Sequence, residues 1–571
     1  MQNPFIDEIT RQLSQLTSTP AEDIERILSV PPDDRMGDYA FPCFNIAKAA
    51  GRKPQELAEE LAGKFEAGEL VLGARTAGPY LNFFVSRAEF TGWVLSQAHN
   101  LRGEFGRSDE GRGQTVVIEF SSPNIAKHLG VHHIRSTMIG NSLVKIYKAL
   151  GYRTVSINFL GDWGTQFGIL MAAYRKWGDE KTLQGDAVSN LNELYVRYTA
   201  AAKEDPTLRD EGRAWFKRLE EGNAEAVELW QKFRQISLEE FDQVYKRLGV
   251  TFDVISGESL YDKLMPATID RLEQKGLAVL DQGALIVDLK QWKMPPLLLR
   301  KSDGATLYDT RDMAAAEDRW EKHHFARMAY VVGGDQKLHF RQLFKALEMM
   351  GYAWAKDCVH VDFGVIRVKG AAGVAAKMST RGGTMIMLKE VLDEAVERSL
   401  KAIDAKNPEL KDKEQIARAV GIGAVVFNDL KRQRTKDVDF DWDQVLSFEG
   451  ETGPYLQYAH VRLCSILRKY GKPVSTEVDF AILSEPEEFA LAKALADFSG
   501  IIRRAADLYE PSTISQYLLS LCGLFSTFYH KHKVLTDDAA FTAARVLLVD
   551  ALRQTIANGL ALLGLQAPEE M

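Results

Sequence analysis

The four cysteines among 571 residues, Cys43, Cys358, Cys464 and Cys522, stand singly, with no Cys-x-x-Cys pair. A disulfide framework and a structural zinc knuckle both need paired thiols, so neither is expected. No apolar run approaches membrane-spanning length, and the opening MQNPFIDEIT has neither a basic stretch nor an apolar core. A membrane-spanning or secreted protein is therefore set aside, and a cytoplasmic location is expected. Internal repeats and low-complexity tracts are missing too. Nor is there an excess of positive charge: 71 Lys and Arg against 79 Asp and Glu leave a formal net charge of −8. That argues against indiscriminate coating of nucleic acid, although local basic patches can still meet an RNA backbone.

What is present is ordinary for a large globular chain: 46% hydrophobic and 26% charged residues. The length implies about three or four domains. Residues 1–110 read as a small α+β unit, with a turn-rich Pro31–Cys43, a helix from Pro54 to Phe65 and a strand over Gly78–Val85. Residues 111–445 alternate strand and helix, with strands over Thr115–Phe120, Arg153–Phe159, Ala284–Leu289, Leu297–Arg300, Met328–Gly333 and Val359–Val368. An amphipathic, charge-rich insertion of helices interrupts them at about 190–250. Residues 446–571 show only helical periodicity, over Tyr455–Tyr470, Glu487–Tyr509, Ser512–Lys531 and Phe541–Leu563. The fold expected is a multidomain α/β chain: a Rossmann-like doubly wound domain with a helical insertion, a small α+β N-terminal domain and an all-α C-terminal bundle.

The most informative stretch is EFSSPNIAKHLGVHHIRSTMIGN, Glu119–Asn141. A β-branched strand, a Ser-Ser-Pro-Asn turn and a helix with Ile134, Met138, Ile139 and Leu143 in register form the half-unit of a doubly wound sheet. Lys127, His128, His132, His133 and Arg135 crowd the helix start, where a polyphosphate would be favoured. His128 and His132 also have the i, i+4 spacing of helical metal ligands. No Cys lies near and no carboxylate lies within the cluster, so no metal site is expected. Downstream, GAAGVAAKMSTRGG, Gly370–Gly383, has glycines on both sides of a Lys-Met-Ser-Thr core, suited to a loop that lays an ammonium on a phosphate. In LYDTRDMAA, Leu307–Ala315, Tyr308 and Asp312 share a helical face, and a phenol beside a carboxylate suits a planar cation.

SSPNIAK followed by IRST and IGN resembles the signature of class I arginyl-tRNA synthetases of bacterial type. The KMSTR loop resembles that family's second ATP element, and Asp550–Arg553 spells its Asp-Ala-Leu-Arg motif. One departure stands out. Where the family reads His-x-Gly-His, this chain has Gly130-Val131-His132-His133, so the first His and the Gly have exchanged places. The resemblance implies ligation of L-arginine to its tRNA, with ATP as substrate and Mg2+ bridging its phosphates. Residues 1–110 would touch the tRNA elbow and 446–571 the anticodon region. It also implies tRNA binding before arginine is activated.

By the same resemblance, His133, Lys377, His132 and His128 would be catalytic, with His128 standing in for the lost first His. ATP would meet Lys127, Gly130, His132, His133, Lys377, Met378 and Ser379. Arginine would meet Glu119, Ser121, Asn124, Tyr308, Asp312 and Gln336. For tRNA, Tyr455, Tyr458 and Arg462 share one helical face that could stack on bases, and Lys431 and Arg432 lie in a basic run. A monomer is expected. Two rivals remain at this level. The altered His motif fits a synthetase-like tRNA-binding or regulatory protein that has lost activation, against which stand Lys377, Tyr308, Asp312 and Gln336. A synthetase for another amino acid is the second, and Asp312 would be an odd choice for an uncharged one.

Overall fold

The structure is a computed structural model that describes residues 3–302, 308–369, 375–377 and 386–571; for Asp34, 308–309, 368–369 and 375–377 it describes the backbone alone. At its centre is a five-stranded sheet, in spatial order Cys358–His360, Arg327–Tyr330, Thr115–Glu119, Arg153–Leu160, Val254–Gly257. Every pairing in it is parallel. Strands buried on both faces read as continuous apolar runs, which is why Thr115–Glu119 shows no alternation. The spatial order reverses beside Thr115–Glu119, next to Arg327–Tyr330. A doubly wound sheet takes its ligands in the crevice beyond such a reversal, at the strands' carboxyl ends.

Two expected strands lie elsewhere. Ala284–Val287 and Leu297–Arg300 join Ala278–Asp281 in a separate antiparallel sheet. The run Val359–Val368 splits: Cys358–His360 stays in the parallel sheet, while Ile366–Lys369 pairs with Val438–Phe440 and, antiparallel, with Ala375–Lys377. The break falls at Asp362–Gly364. Asp362 is drawn to Lys337 and Arg434, and a Cβ at Gly364 would lie 2.6 Å from the Asp437 carboxylate.

The insertion is three helices, Ala187–Glu204, Thr207–Glu220 and Ala224–Leu248. The N-terminal unit pairs Tyr39–Pro42, Tyr80–Val85 and Val71–Ala77 in that order, all antiparallel. In the C-terminal bundle the helix expected over Glu487–Tyr509 is two, Pro486–Ala496 and Phe498–Asp507, meeting at Asp497. Its last helix, Ala539–Leu562, carries Asp550, whose buried carboxylate meets Arg553, His99 at 2.9 Å and Arg102 at 3.3 Å. The Asp-Ala-Leu-Arg motif therefore ties the final helix to the helix Arg87–Leu101 that leaves the N-terminal unit.

The helix His133–Ala149 lies between the sheet and this bundle, buried almost all round. Gly140 lets it approach the strand end, since a Cβ there would lie 2.1 Å from the Phe120 ring. On its other side Ser142 donates to the Leu562 carbonyl and Tyr147 to that of Ala506, both at 2.9 Å. Arg135, 1% exposed, makes an ion pair at 2.8 Å with Asp429 at the end of the helix Lys413–Leu430. It also donates to the carbonyls of Lys436 and Arg434. Removing one partner of a buried pair strands a charge, so Asp429→Ala should cost about 3–5 kcal/mol. The double variant Arg135→Met, Asp429→Leu should recover much of the lost thermal midpoint; equal midpoints for the single and double variants would show that the pair carries little.

Candidate functional site

Beyond Glu119 the chain turns through Ser121 at φ 71° and Ser122 at φ 49°, a conformation that costs non-glycine residues energy. Side chains of the following helix hold it. The Ser121 amide donates to Ser136 Oγ at 2.9 Å, and Ser136 Oγ donates to the Val331 carbonyl at 2.7 Å. Ser121 Oγ lies within hydrogen-bond distance of Thr137 Oγ1 and of Tyr245 OH, 2.9 and 2.8 Å. Ser136 and Thr137 thus clamp the turn to the neighbouring strand and to the insertion, a role that sequence reasoning did not assign them.

The turn opens on a cavity of about 590 Å³ at the sheet's point of reversal, lined by Ser121, His132, His133, Gly333, Gln336 and Asp362 among others. The two imidazoles lie against each other, tilted by 37°, with centroids 4.0 Å apart. His133 Nδ1 lies 3.0 Å from the Gly130 amide and 3.2 Å from the Gly130 carbonyl, so Gly130 anchors the ring. Burial, with His132 beside it, pushes His133 down to about 3, and burial lowers His132 too. Both are therefore neutral hydrogen-bond donors at ordinary pH. Gly130 bridges to Met387, the Val131 amide donates to the Ile386 carbonyl, and the Leu388 amide donates to that of Leu129. The signature turn and the segment that follows the KMSTR loop are in this way one short ladder.

Beside the cavity, carboxylates converge on the strand ends. Glu119, 5% exposed, forms an ion pair with Arg319, which is itself 2% exposed and lies over the rings of Phe159 and Tyr330. Burial raises the Glu119 carboxyl, Arg319 pulls it back, and Asp312 adds to the rise. Asp312 accepts from His339 Nε2 at 2.7 Å. Glu258 pairs with Arg311 at 3.2 Å, and burial pushes its carboxyl up to about 7. Arg319 was not anticipated. Its only signal was the spacing of seven from Asp312, which puts both on one face of the helix Tyr308–His323. Asp162, fully buried, accepts from Arg234 and from Ser259 at 3.1 and 2.9 Å and so fastens the insertion to the sheet.

Several expected residues lie apart from the cavity. His128 does not face it: Nδ1 meets Glu240 at 2.6 Å and Nε2 meets Ser189 at 2.8 Å, both on insertion helices. The expectation that His128 replaces the lost imidazole is therefore corrected, and it is His132 that supplies the second ring. The tertiary fold also brings Asp186 to His128 alongside Glu240, carboxylates that the local sequence lacks, although both ring nitrogens are engaged by hydrogen bonds. Lys127 and Asn124 are exposed, and Asn124 bridges to Gly161. Gln336 is exposed at the cavity edge. Lys377 ends the strand Ala375–Lys377 opposite Arg367. Met378 and Ser379 lie outside the described residues, as does the side chain of Tyr308.

In the basic run, Lys431 donates to the Glu451 carbonyl at 2.7 Å and Arg432 is half-buried. Arg434 pairs with Asp362 at 2.7 Å. Lys431 and Arg434 of this run brace the fold, while Gln433, Thr435 and Lys436 are exposed. On the helix Gly453–Tyr470, Tyr455 packs partly into the core, Tyr458 is 49% exposed, and Arg462 stacks on Tyr529 at 4.1 Å.

The family model "tRNA synthetases class I (R), catalytic domain" matches residues 97–442. The models for the DALR anticodon binding domain and the arginyl tRNA synthetase N terminal domain match residues 456–571 and 4–85. Curated arginine–tRNA ligases resemble the chain throughout. That of Clostridioides difficile is 44% identical over 96% of each chain, and that of Halothermothrix orenii 42% over 99% of each. Thermus thermophilus arginyl-tRNA synthetase superposes with a TM-score of 0.83 at 27% identity, over 100% of this chain and 99% of its own.

The contact between His128 and the insertion should depend on pH. Its hydrogen bond to Glu240 raises the His128 pKa above the ordinary 6.5. The stabilisation is then complete below pH 6.5 and fades as the pH rises through the folded-state value. The gap in thermal midpoint between the wild type and Glu240→Gln should narrow over that range; a gap independent of pH would show that the pair does not carry it.

Proposed function

This chain belongs to the class I arginyl-tRNA synthetases and is an arginine–tRNA ligase, and from that premise we propose how its residues divide the work. ATP occupies the 590 Å³ cavity. The imidazoles of His132 and His133, neutral because burial lowers their pKa values, donate to its phosphates as charge builds. Such donors are most effective when set before the reaction starts. Gly130 gives the base room to approach the backbone, and Lys127 lies at the exposed rim. Lys377, Met378 and Ser379 are assigned to the phosphates, where the Lys377 ammonium stabilises the leaving pyrophosphate. The support for this is the ladder between Leu129–Val131 and Ile386–Leu388, which ties the signature turn to the segment after the KMSTR loop.

Arginine lies beside ATP, with its guanidinium on Asp312 and Tyr308. Its α-amino group and carboxylate are held by Glu119, Ser121, Asn124 and Gln336. An oxygen of its carboxylate attacks the α-phosphorus in line, the bond to the bridging oxygen breaks, and arginyl-adenylate and pyrophosphate form. The 2′-hydroxyl of the terminal adenosine then attacks the acyl carbon, releasing AMP. Positioning and electrostatics carry both steps, and no side chain acts as a nucleophile. One observation carries the reading: both imidazoles line the cavity at the sheet's point of reversal, and Asp312 is held by His339, three residues beyond Gln336 of the same lining.

We divide the chain into an N-terminal tRNA-contacting unit (1–110), the catalytic domain (111–445) and an anticodon-binding bundle (446–571). The limits of the matching family models support this division. Tyr458, Tyr455 and Arg462 are the residues we assign to the anticodon side. We take the enzyme to be cytoplasmic, where tRNA is charged, and monomeric, since one chain supplies every group assigned here. The cavity offers few ligands for Mg2+. Asp335 and Asp362 are its lining carboxylates among the described residues, and Asp362 is engaged by Lys337 and Arg434. The groups of three acidic or imidazole ligands found among the described residues lie elsewhere. Mg2+ would therefore arrive on the phosphates with its own water, and no step is assigned to it. None of the described helices is long and apolar enough to cross a membrane.

ATP–pyrophosphate exchange with each amino acid, with and without tRNA, tests the assignment. Arginine with its cognate tRNA should support exchange; silence there would point to a protein that binds tRNA without activating arginine. Asp312→Asn should raise the KM for arginine by about a hundredfold or more while ATP still binds, because the guanidinium loses its counter-charge. Normal arginine kinetics in that variant would remove Asp312 from the pocket.

A further inference from the structure

Three carboxylates meet on the amino-acid side of the cavity, and the chain already partners each of them. Glu119 has Arg319, Glu258 has Arg311 at 3.2 Å, and Asp312 has His339 Nε2 at 2.7 Å. They are near enough to interact, since Asp312 disfavours the charged forms of both Glu119 and Glu258. The partners differ in kind. A guanidinium is always charged, so the first two pairs are electrically closed. An imidazole N–H can hold a carboxylate without cancelling its charge.

The geometry fits that difference. Asp312 lies on the helix Tyr308–His323 and His339 on the helix Lys337–Met349, so the contact is made between two elements and does not follow one backbone. His339 is 7% exposed and its ring sits against Phe340 at 5.2 Å, whereas the Asp312 side chain is 25% exposed. The donor is fixed from behind and the carboxylate keeps an open side. Resting on the assignment of Asp312 to the substrate guanidinium, we infer that His339 is a positioning residue for arginine selection. It locks the Asp312 rotamer and leaves Asp312, of the three acids, the one with charge to spare for the incoming cation.

Steady-state aminoacylation by the full-length protein with cognate tRNA, read as separate KM values for arginine and ATP and as kcat, tests this. His339→Ala should raise the KM for arginine by roughly ten- to hundredfold, the loss of one orienting bond to a charged group. The KM for ATP should stay within about twofold of the wild type, because His339 is not among the residues that line the ATP cavity. His339→Gln, which keeps a donor without charge, should restore most of the arginine affinity. His339→Lys, a donor that brings a charge, should be worse than Ala because it closes the Asp312 charge as the two arginines close the others.

A purely structural role would move both KM values, kcat and the thermal midpoint together. An unchanged arginine KM in His339→Ala, or His339→Lys performing as well as His339→Gln, overturns the inference. If the alanine variant does not fold, the order of the Gln and Lys variants still decides. Should Asp312→Asn abolish arginine use while all His339 variants behave normally, only the role of His339 falls. Should Asp312→Asn also behave normally, the pocket assignment itself falls.

Discussion

The position of the cleft depends on a guanidinium taken almost entirely out of water. Arg135 sits two residues beyond His133, and its ion pair with Asp429 spans elements almost three hundred residues apart in sequence. Its remaining donors go to the carbonyls of Arg434 and Lys436, and the Phe363 ring lies against it. Arg434 in turn holds Asp362 at the cavity wall. One buried cation therefore sets where the signature helix stands against the opposite side of the cleft. Burial raises the Asp429 carboxyl and Arg135 opposes the rise, so each makes the other's charge tolerable.

With that helix placed, the strained turn before it becomes affordable. Ser121 and Ser122 stay at positive φ because hydroxyls of the helix and the insertion and the Asn158 side chain of the neighbouring strand all converge on them. The same placement brings Leu129–Val131 into a ladder with Ile386–Leu388, the segment that follows the KMSTR loop. The exchange of Gly and His within GVHH is absorbed locally. Gly130 anchors the His133 ring, and the His132 ring lies tilted against it.

Charge in the amino-acid pocket follows a parallel logic. Strand ends and helix starts gather Glu119, Glu258 and Asp312 close together, which would be unfavourable if all three were bare. Arg319, Arg311 and His339 distribute compensation among them, and the kind of partner decides which acid keeps its charge.

Local periodicity and turn chemistry in the sequence were enough to determine the alternating α/β core, the helical insertion, the all-helical C-terminal part and the order of the motifs. These are properties of the backbone within a few residues, and the chain states them where they occur. His132, His133 and Asp312 could be singled out as candidate positions for the same reason. Partnerships across the fold were not. That His128 turns to Glu240, that Lys431 is spent on the Glu451 carbonyl, and that Arg319 closes the charge of Glu119 each depend on a group that another element brings close. Nor could the run Val359–Val368 show that it serves two sheets, because the break depends on Asp437 and Arg434 meeting Asp362–Gly364. Hydrogen bonds and ion pairs act over a few ångströms of space, whatever the separation along the chain, so only the tertiary structure could decide which polar side chains face the cavity and which brace it.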